Sequence, residues 1–318
     1  MKEIIRQLRY NNGLFFWTLF YLNKAKYFVT RNRLSDKEYV TRLFARVQDY
    51  PLNLEDPKTL NEKLQWLKLN DRKPIYTLYA DKYAVRQYMG ENFGEDILIP
   101  LLFHTTDYRD INKEHLPDAP FIIKANHGFG ANFIVRDKNK VDWKKLQTDC
   151  RLWLLTNYYY NEREWQYFNI KPRLVVEKLL LTSNGRIPDD FKLHCINGKV
   201  EFIYVSVDRE GVNKRNIYDK QWEPLYFTWN RKGKDIANLR GEEIQPPQTL
   251  PRMIDIAEKI AAQFKYVRVD FYDVEGKLYF GEITQCHGGG FDQILPIDYD
   301  YKFGSMIALP TTKASQHQ

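Results

Sequence analysis

The chain has 318 residues, 43% of them hydrophobic, enough for a sizeable core and two or three lobes. Its net charge of +7 is lopsided: residues 1–33 carry Lys2, Arg6, Arg9, Lys24, Lys26, Arg31 and Arg33 against Glu3 alone, so the body is near neutral, which argues against general nucleic-acid binding. Three cysteines (Cys150, Cys195, Cys286) without metal spacing suit a reducing cytosol better than a disulfide framework, and six dispersed histidines argue against zinc.

The basic segment 1–33 also contains the aromatic run Leu14–Leu22, too short to span a bilayer and without a signal-peptide cleavage site. Two readings stand side by side: a helix lying on an anionic membrane surface, or a helix docked on the body of the protein. Residues 36–93 read as helical. Ser35 and Glu38 stand at capping-box spacing, Pro51 and Pro57 interrupt the pattern, Leu60–Leu69 resumes it, and Pro74 opens a further helix running through Asp81–Arg86. Ile97–Leu102 is expected to form a short buried strand.

At Phe121-Ile122-Ile123-Lys124 a short apolar strand ends in a lysine and runs into Ala125-Asn126-His127-Gly128-Phe129-Gly130-Ala131-Asn132, after which Phe133-Ile134-Val135 resumes strand character. A Gly-rich hairpin tip lets backbone N–H groups approach an anion, and Lys124 adds a point charge. No GK[ST] leads into a helix here, and strand follows strand, so neither a P-loop nor a dinucleotide fingerprint is present. An aromatic-rich helical stretch over 142–168 follows, then a strand, Arg173–Leu180, that carries Glu177. Asn197-Gly198 between two apolar runs marks a hairpin. Thr249–Phe264 reads as an amphipathic helix.

Next come Val267–Tyr272 and Lys277–Thr284, which flank a turn. With a three-residue loop, Val274-Glu275-Gly276, Phe280 stands opposite Asp270, and Arg268 opposite Glu282. Asp270, Glu282 and Thr284 then share one face, with the two carboxylates diagonal and roughly 7–8 Å apart at Cα. Converging carboxylates repel unless a cation lies between them, and Mg²⁺ with oxygen ligands fits. The alternative is a solvated hairpin face. Cys286-His287-Gly288-Gly289-Gly290 then supplies a glycine nest for an anion.

The order of these pieces resembles the ATP-grasp superfamily, and more closely the TupA-like ATP-grasp family, over roughly residues 35–310. The residues that carry the resemblance are Asn61–Trp66, Asp81–Arg86, Lys124 with Asn126-His127-Gly128, Asp190-Phe191-Lys192, Arg268-Val269-Asp270 and Gly281-Glu282-Ile283-Thr284. It implies an α+β ATP-grasp fold, with mixed or antiparallel sheets and a helical N-terminal region. Four parts are expected: a basic segment 1–35, a helical region 36–118, a lid 119–180 and a catalytic part 181–318. The resemblance also implies roles. Lys124 contacts phosphates, Gly128 and Gly130 cover the triphosphate, and Glu177, Lys178 and Leu179 form the hinge strand that receives adenine. Asp270 and Glu282 hold Mg²⁺, with Thr284 where many members have an asparagine. Lys192 and Arg209 stabilise the transferred phosphoryl group and acyl phosphate, and Gly288–Gly290 lie by the acceptor.

The implied activity is ATP- and Mg²⁺-dependent carboxylate–amine ligation, joining a carboxylate-bearing sugar or glycan to an amino compound in surface-polysaccharide or capsule assembly. The expected location is cytoplasmic and peripheral on the inner membrane face. A sugar kinase on the same fold, a metal-dependent glycosyltransferase and a nucleotide-sensing scaffold are the competing readings. The glycosyltransferase leaves Lys124 and its glycines unexplained, and the scaffold makes the two carboxylates superfluous.

Overall fold

A computed structural model describes residues 13–207, 210–211, 214–232 and 240–310. The first helix, α1 (Gly13–Arg33), buries Phe16 and lays Trp17 under the Arg151 guanidinium, 3.9 Å from the ring centre. Phe20, Lys24 and Phe28, spaced by four, line an apolar groove with Leu155 and Tyr160. Another side leaves Leu14 and Leu22 exposed (83% and 61%). No described helix is long and apolar enough to cross a membrane.

Two capping boxes start the next helices. Ser35 and Glu38 close one on α2 (Asp36–Val47), and Thr59 and Glu62 close another on α3 (Leu60–Asn70). Each satisfies N–H groups that the first turn leaves without partners. Helix α4 (Ile75–Ala80) stops at Asp81, and α5 (Val85–Phe93) starts afresh. The single helix expected through Arg86 is thus broken in two. The Asp81 carboxylate accepts the N–H groups of Tyr83 and Ala84, at 2.9 and 3.2 Å, a local turn that competes with helix. Lys82 sits in the break.

A four-stranded sheet follows, ordered β1-β4-β2-β3, from β1 (Leu101–Thr105), β2 (Phe121–Ala125), β3 (Asn132–Val135) and β4 (Leu174–Lys178). Its pairings are all antiparallel. Strand β1 begins at Leu101, later than the apolar run at 97 suggests, because Glu95–Ile97 form a 3-10 turn. Helix α6 (Trp143–Leu155) buries Leu146 and Cys150 in one apolar cluster with Phe121 and Ile123 of β2. A short helix, α7 (Tyr159–Glu162), leads back to β4.

The second sheet has five antiparallel strands, ordered β10-β9-β5-β6-β7: β5 (Asp190–Ile196), β6 (Lys199–Val207), β7 (Lys214–Tyr218), β9 (Tyr266–Val274) and β10 (Lys277–Thr284). Helix α8 (Leu250–Ala261) covers one face with Met253, Ile256, Ala257 and Ile260, the spacing of a single helical stripe. Leu193, Val205, Val267, Val269 and Phe271 meet it from the strands. On the opposite face, Phe202, Tyr204 and Tyr266 pack with Leu60 and Leu64 of α3. The small pair β8 (Thr228–Asn230) and β11 (Gln293–Leu295), and helix α9 (Asp298–Ser305), complete that side. The rest of this face is polar and opens towards the four-stranded sheet. The α+β, antiparallel architecture expected from the sequence is therefore what the chain adopts.

Candidate active site

The β9–β10 hairpin turns on two residues, Glu275 (φ 55°) and Gly276 (φ 85°), not three. Positive φ at both central residues is what a type I′ turn requires. Val274 pairs with Lys277 and Phe271 with Phe280, so the expected pairing of Phe280 with Asp270 is corrected by one residue. Continued unbroken, this register would pair Glu282 with Val269 and turn its carboxylate into the apolar core. A bulge at Gly281 prevents that: Glu282 stands directly opposite Asp270, and Thr284 opposite Arg268. The carboxylates converge more closely than the expected diagonal.

The row continues across the sheet. Asp270 pairs with Lys192 on β5, and Lys192 with Tyr204 on β6. Asp190, two residues before Lys192, lies on the same face. Arg268 Nε and Nη2 donate to the two Asp270 oxygens at 2.6 and 2.7 Å, and Nη2 also reaches Glu282 Oε1 at 2.7 Å. Lys192 Nζ bridges Asp270 (2.9 Å) and Asp190. Lys82 Nζ lies 3.2 Å from Glu282 Oε2, and the Thr284 hydroxyl donates to Oε1 at 3.3 Å. Three carboxylates are thus interleaved with three cations.

The two facing carboxylates differ in acidity. Burial works against ionisation of Glu282, but Lys82, Arg268 and Lys192 outweigh it and hold its carboxyl well below the usual range. Burial, with Asp190 and Glu282 close by, pushes the Asp270 carboxyl up against the pull of Arg268 and Lys192. Burial also keeps His287 neutral, so its Nδ1 accepts from Arg268 Nη1 at 2.8 Å and fixes the guanidinium.

The facing wall belongs to the four-stranded sheet. Lys124, Gly128, Gly130, Lys178 and Leu179 line one cleft with Lys82, Asp190, Lys192, Asp270, Gly281 and Glu282, enclosing about 250 Å³. The Gly-rich tip joins β2 to β3 as expected, with Lys124 opposite Asn132. Gly128 lies against the Tyr158 ring, and a Cβ there would come within 2.2 Å of it. Lys82 Nζ also donates to the Gly128 carbonyl at 2.6 Å, tying the tip to Glu282 on the other wall.

Glu177 does not line the cleft. It is buried beneath, where its carboxylate holds Lys124 Nζ at 2.8 Å and Arg86 Nη1 at 2.9 Å. Gly288–Gly290 also lie away from it. They seat α3: the Gly289 carbonyl accepts from Gln65 Nε2 and Lys68 Nζ, and the Gly290 carbonyl from Gln65 Nε2 at 2.7 Å. A Cβ on Gly289 would meet Glu162 at 2.0 Å. The Gly289 and Gly290 carbonyls are thus taken up in seating α3, and the Gly289 N–H in donating to the Cys286 carbonyl at 3.1 Å. Arg209 falls outside the described residues.

Three residues at this centre, Arg268, Asp190 and Lys82, lie in the motifs that carry the resemblance but were given no role from the sequence. Arg268 carried a usable signal, since strand alternation puts it on the face of Asp270. Asp190 stands in the same relation to Lys192. Lys82 carried none, because its place depends on the Asp81 turn.

Among the described residues no cluster of three or more acidic, histidine or cysteine side chains forms a self-sufficient metal cage. Mg²⁺ does not need one, since it is commonly bound by one or two carboxylates together with substrate phosphates and water. Asp270 and Glu282, directly opposed, fit that donor set; the Thr284 hydroxyl lies outside the cleft lining and reaches it only through Glu282 Oε1, while Lys82, Lys124 and Lys192 border the space phosphates would fill.

The family model for TupA-like ATP-grasp proteins matches residues 62–308, and the chain belongs to that family. Curated relatives include the phenylalanine–tRNA ligase alpha subunits of Dictyoglomus thermophilum (23% identical over 218 residues) and Dictyoglomus turgidum (22% over 219). These matches cover 64% and 65% of this chain, and the chain spans about three fifths (61%) of each relative's length. Among solved structures, the D-alanine–D-alanine ligase of Helicobacter pylori gives a TM-score of 0.42 at 14% identity, covering 80% of this chain and 68% of that one. The Bacillus anthracis enzyme complexed with ATP gives 0.36 at 16%, covering 66% and 54%.

Proposed function

We propose that this protein is an ATP- and Mg²⁺-dependent carboxylate–amine ligase acting through an acyl phosphate. The observation that carries this reading is the row Glu282–Asp270–Lys192, set across three strands and facing Lys124 and the Gly128–Gly130 tip over one cleft. A carboxylate is a poor acylating agent because its leaving group would be oxide. Transfer of the ATP γ-phosphoryl group to it makes an acyl phosphate, with ADP leaving. An amine then attacks the acyl carbon, and phosphate departs as the amide forms.

In this reading Lys124, held by Glu177, binds the nucleotide phosphates, and backbone groups at Gly128 and Gly130 close over them. Lys178 and Leu179 border the nucleotide. Asp270 and Glu282, with Thr284, hold Mg²⁺, which supplies charge neutralisation of the triphosphate. Lys192, paired with Asp190 and Asp270, is assigned to the transferred phosphoryl group, and Arg209 to the same task. Residues 119–180 act as the lid and 181–318 as the catalytic part, although β1 brings residues 101–105 into the lid sheet.

The substrate class proposed is a carboxylate-bearing sugar or glycan with an amino compound, in surface-polysaccharide assembly. Residues 1–33 are assigned to an anionic membrane surface, on the strength of their charge and the exposed Leu14 and Leu22.

Hydroxylamine tests the chemistry. With ATP and a sugar acid it should trap the acyl phosphate as a hydroxamate, releasing ADP and phosphate in equal amounts. A stable phosphorylated sugar formed from a hydroxyl acceptor, with no hydroxamate from any carboxylate, would replace the ligase by a kinase.

A further inference from the structure

The polar face of the five-stranded sheet does not end at Lys192. Tyr204 follows it on β6, and Arg215 stands on β7 opposite Ser206, on the same side as Asp190 and Tyr204. There a second pocket of about 220 Å³ opens, separate from the first. Tyr204 and Arg215 border it from the sheet, Trp229 and Asn230 from β8, and Tyr226 and Arg240 from the connecting segments.

Two observations mark this pocket as a binding site. Asn230 is buried (2% exposed), yet its Oδ1 has no hydrogen-bond partner among the described residues; nor has the buried Nε of Arg215. Buried polar atoms are satisfied in the great majority of cases, so an unpartnered acceptor and an unpartnered cationic donor in the wall of one cavity mark that wall as one a ligand can complete by drawing their side chains outward. The rest of the lining tells its chemistry. Tyr226 is 68% exposed, and the Arg240 guanidinium lies 4.3 Å over its ring. An aromatic platform with an amide and two guanidinium groups suits a hydroxyl-rich ring that presents a C–H face and bears an anion.

We infer that this pocket is the subsite for one anionic hexose of the acceptor. The sugar ring lies against Tyr226, a hydroxyl donates to Asn230 Oδ1, and the anionic group meets Arg215 at the side where Tyr204 leads to Lys192. Only β6 lies between Lys192 and Arg215, so two strand spacings of about 4.8 Å and a two-residue offset along the strand set them roughly 12 Å apart at the backbone, within reach of two long side chains and one substrate group. The inference rests on the ligase reading for what becomes of the sugar, but the subsite needs no nucleotide to be detected.

Isothermal titration of the full chain without ATP tests it, with glucuronic acid, glucose 6-phosphate and glucose as probes. At least one anionic sugar should bind ten times or more tightly than glucose, and which one does so identifies carboxylate or phosphate as the anion. Arg215→Met and Asn230→Leu should each weaken that binding at least tenfold while leaving ATP affinity unchanged. ATP titration run in parallel separates the two ideas: loss of ATP binding in the wild type removes the ligase reading alone. Should Asn230→Leu fail to fold, Tyr226→Ala at the exposed platform replaces it. Equal or absent binding of all three sugars, or anion binding indifferent to Arg215→Met, overturns the subsite.

Discussion

Glu282 stands directly opposite Asp270 in the β9–β10 ladder, and Gly281 is the extra residue that puts it there. Gly281 lines the cleft floor, and a Cβ on it would lie 3.0 Å from the Asp270 carbonyl oxygen. Gly281→Val therefore crowds the floor and strains the bulge together. ATP affinity in the presence of Mg²⁺ should fall about tenfold or more, equivalent to ~1.4 kcal/mol. Titration of ATP in both proteins reads this, and unchanged affinity would show that the bulge does not serve the nucleotide.

The two carboxylates should respond differently to removal of charge. Glu282→Gln leaves Arg268 paired with Asp270, so the fold should persist while turnover drops about 100-fold or more, ~2.7 kcal/mol in the barrier. Asp270→Asn instead leaves Arg268 and Lys192 short of a buried counter-charge, and breaking such a cluster costs about 3–5 kcal/mol of stability. It should lose both activity and melting temperature. Full activity of Glu282→Gln at ordinary Mg²⁺ levels would remove the metal assignment.

Glu177→Gln probes the buried hold on Lys124. The side chain touches no cleft surface, yet it fixes Lys124 and Arg86 at once. ATP affinity should weaken by about an order of magnitude, with a lower melting temperature, because two cations lose their partner. A variant destabilised but normal in ATP affinity would make Glu177 a purely structural residue.

What was legible in the sequence divides along physical lines. Local signals read well: the Ser35–Glu38 capping box, the Asn197-Gly198 turn and the Lys124 strand leading to a glycine tip are all present. They depend on a few neighbouring residues whose preferences agree. The hairpin face was also legible, but its register was not. The shorter loop and the bulge each shift the pairing by one; either alone would turn Glu282 into the core, and the two together return it to the cleft side. Gly288–Gly290 misled for another reason: three glycines announce unusual backbone, but not whether N–H groups or carbonyls turn towards a partner. Lys82 reaches the centre from a helix break whose cause, the Asp81 carboxylate, is a tertiary choice as much as a local one, since Asn126 also donates to it.

The pH profile should follow Asp270. Its carboxyl is pushed above the ordinary aspartate range, first by burial and then by Asp190 and Glu282, whereas Glu282 is held below. As pH falls, Asp270 takes up a proton while Glu282 is still charged, so kcat/KM should decline from higher pH than an ordinary aspartate would give. Asp190→Asn removes one raising charge and frees Lys192 for Asp270, and should move this acid limb to lower pH. An unmoved limb would assign it to another group.

The N-terminal helix offers the last test, because its two sides make different claims. One side lies on the body, through Phe16, Trp17 beneath Arg151, and the groove shared by Phe20 and Leu155. The other leaves Leu14 and Leu22 in solvent, on a segment whose seven cations face one anion. A helix that is docked and also leaves apolar side chains in solvent beside basic ones can bring the cleft to a membrane surface without crossing it. Full-length protein should sediment with vesicles containing phosphatidylserine, and weakly or not at all with neutral ones. Binding should fall steeply between 0.05 and 0.5 M salt as screening shortens to below about 10 Å. Leu14→Ser with Leu22→Ser should reduce it without loss of melting temperature, since neither side chain is packed. Sedimentation equal for wild type and this double variant, or indifferent to anionic lipid, would leave the helix a docked element only.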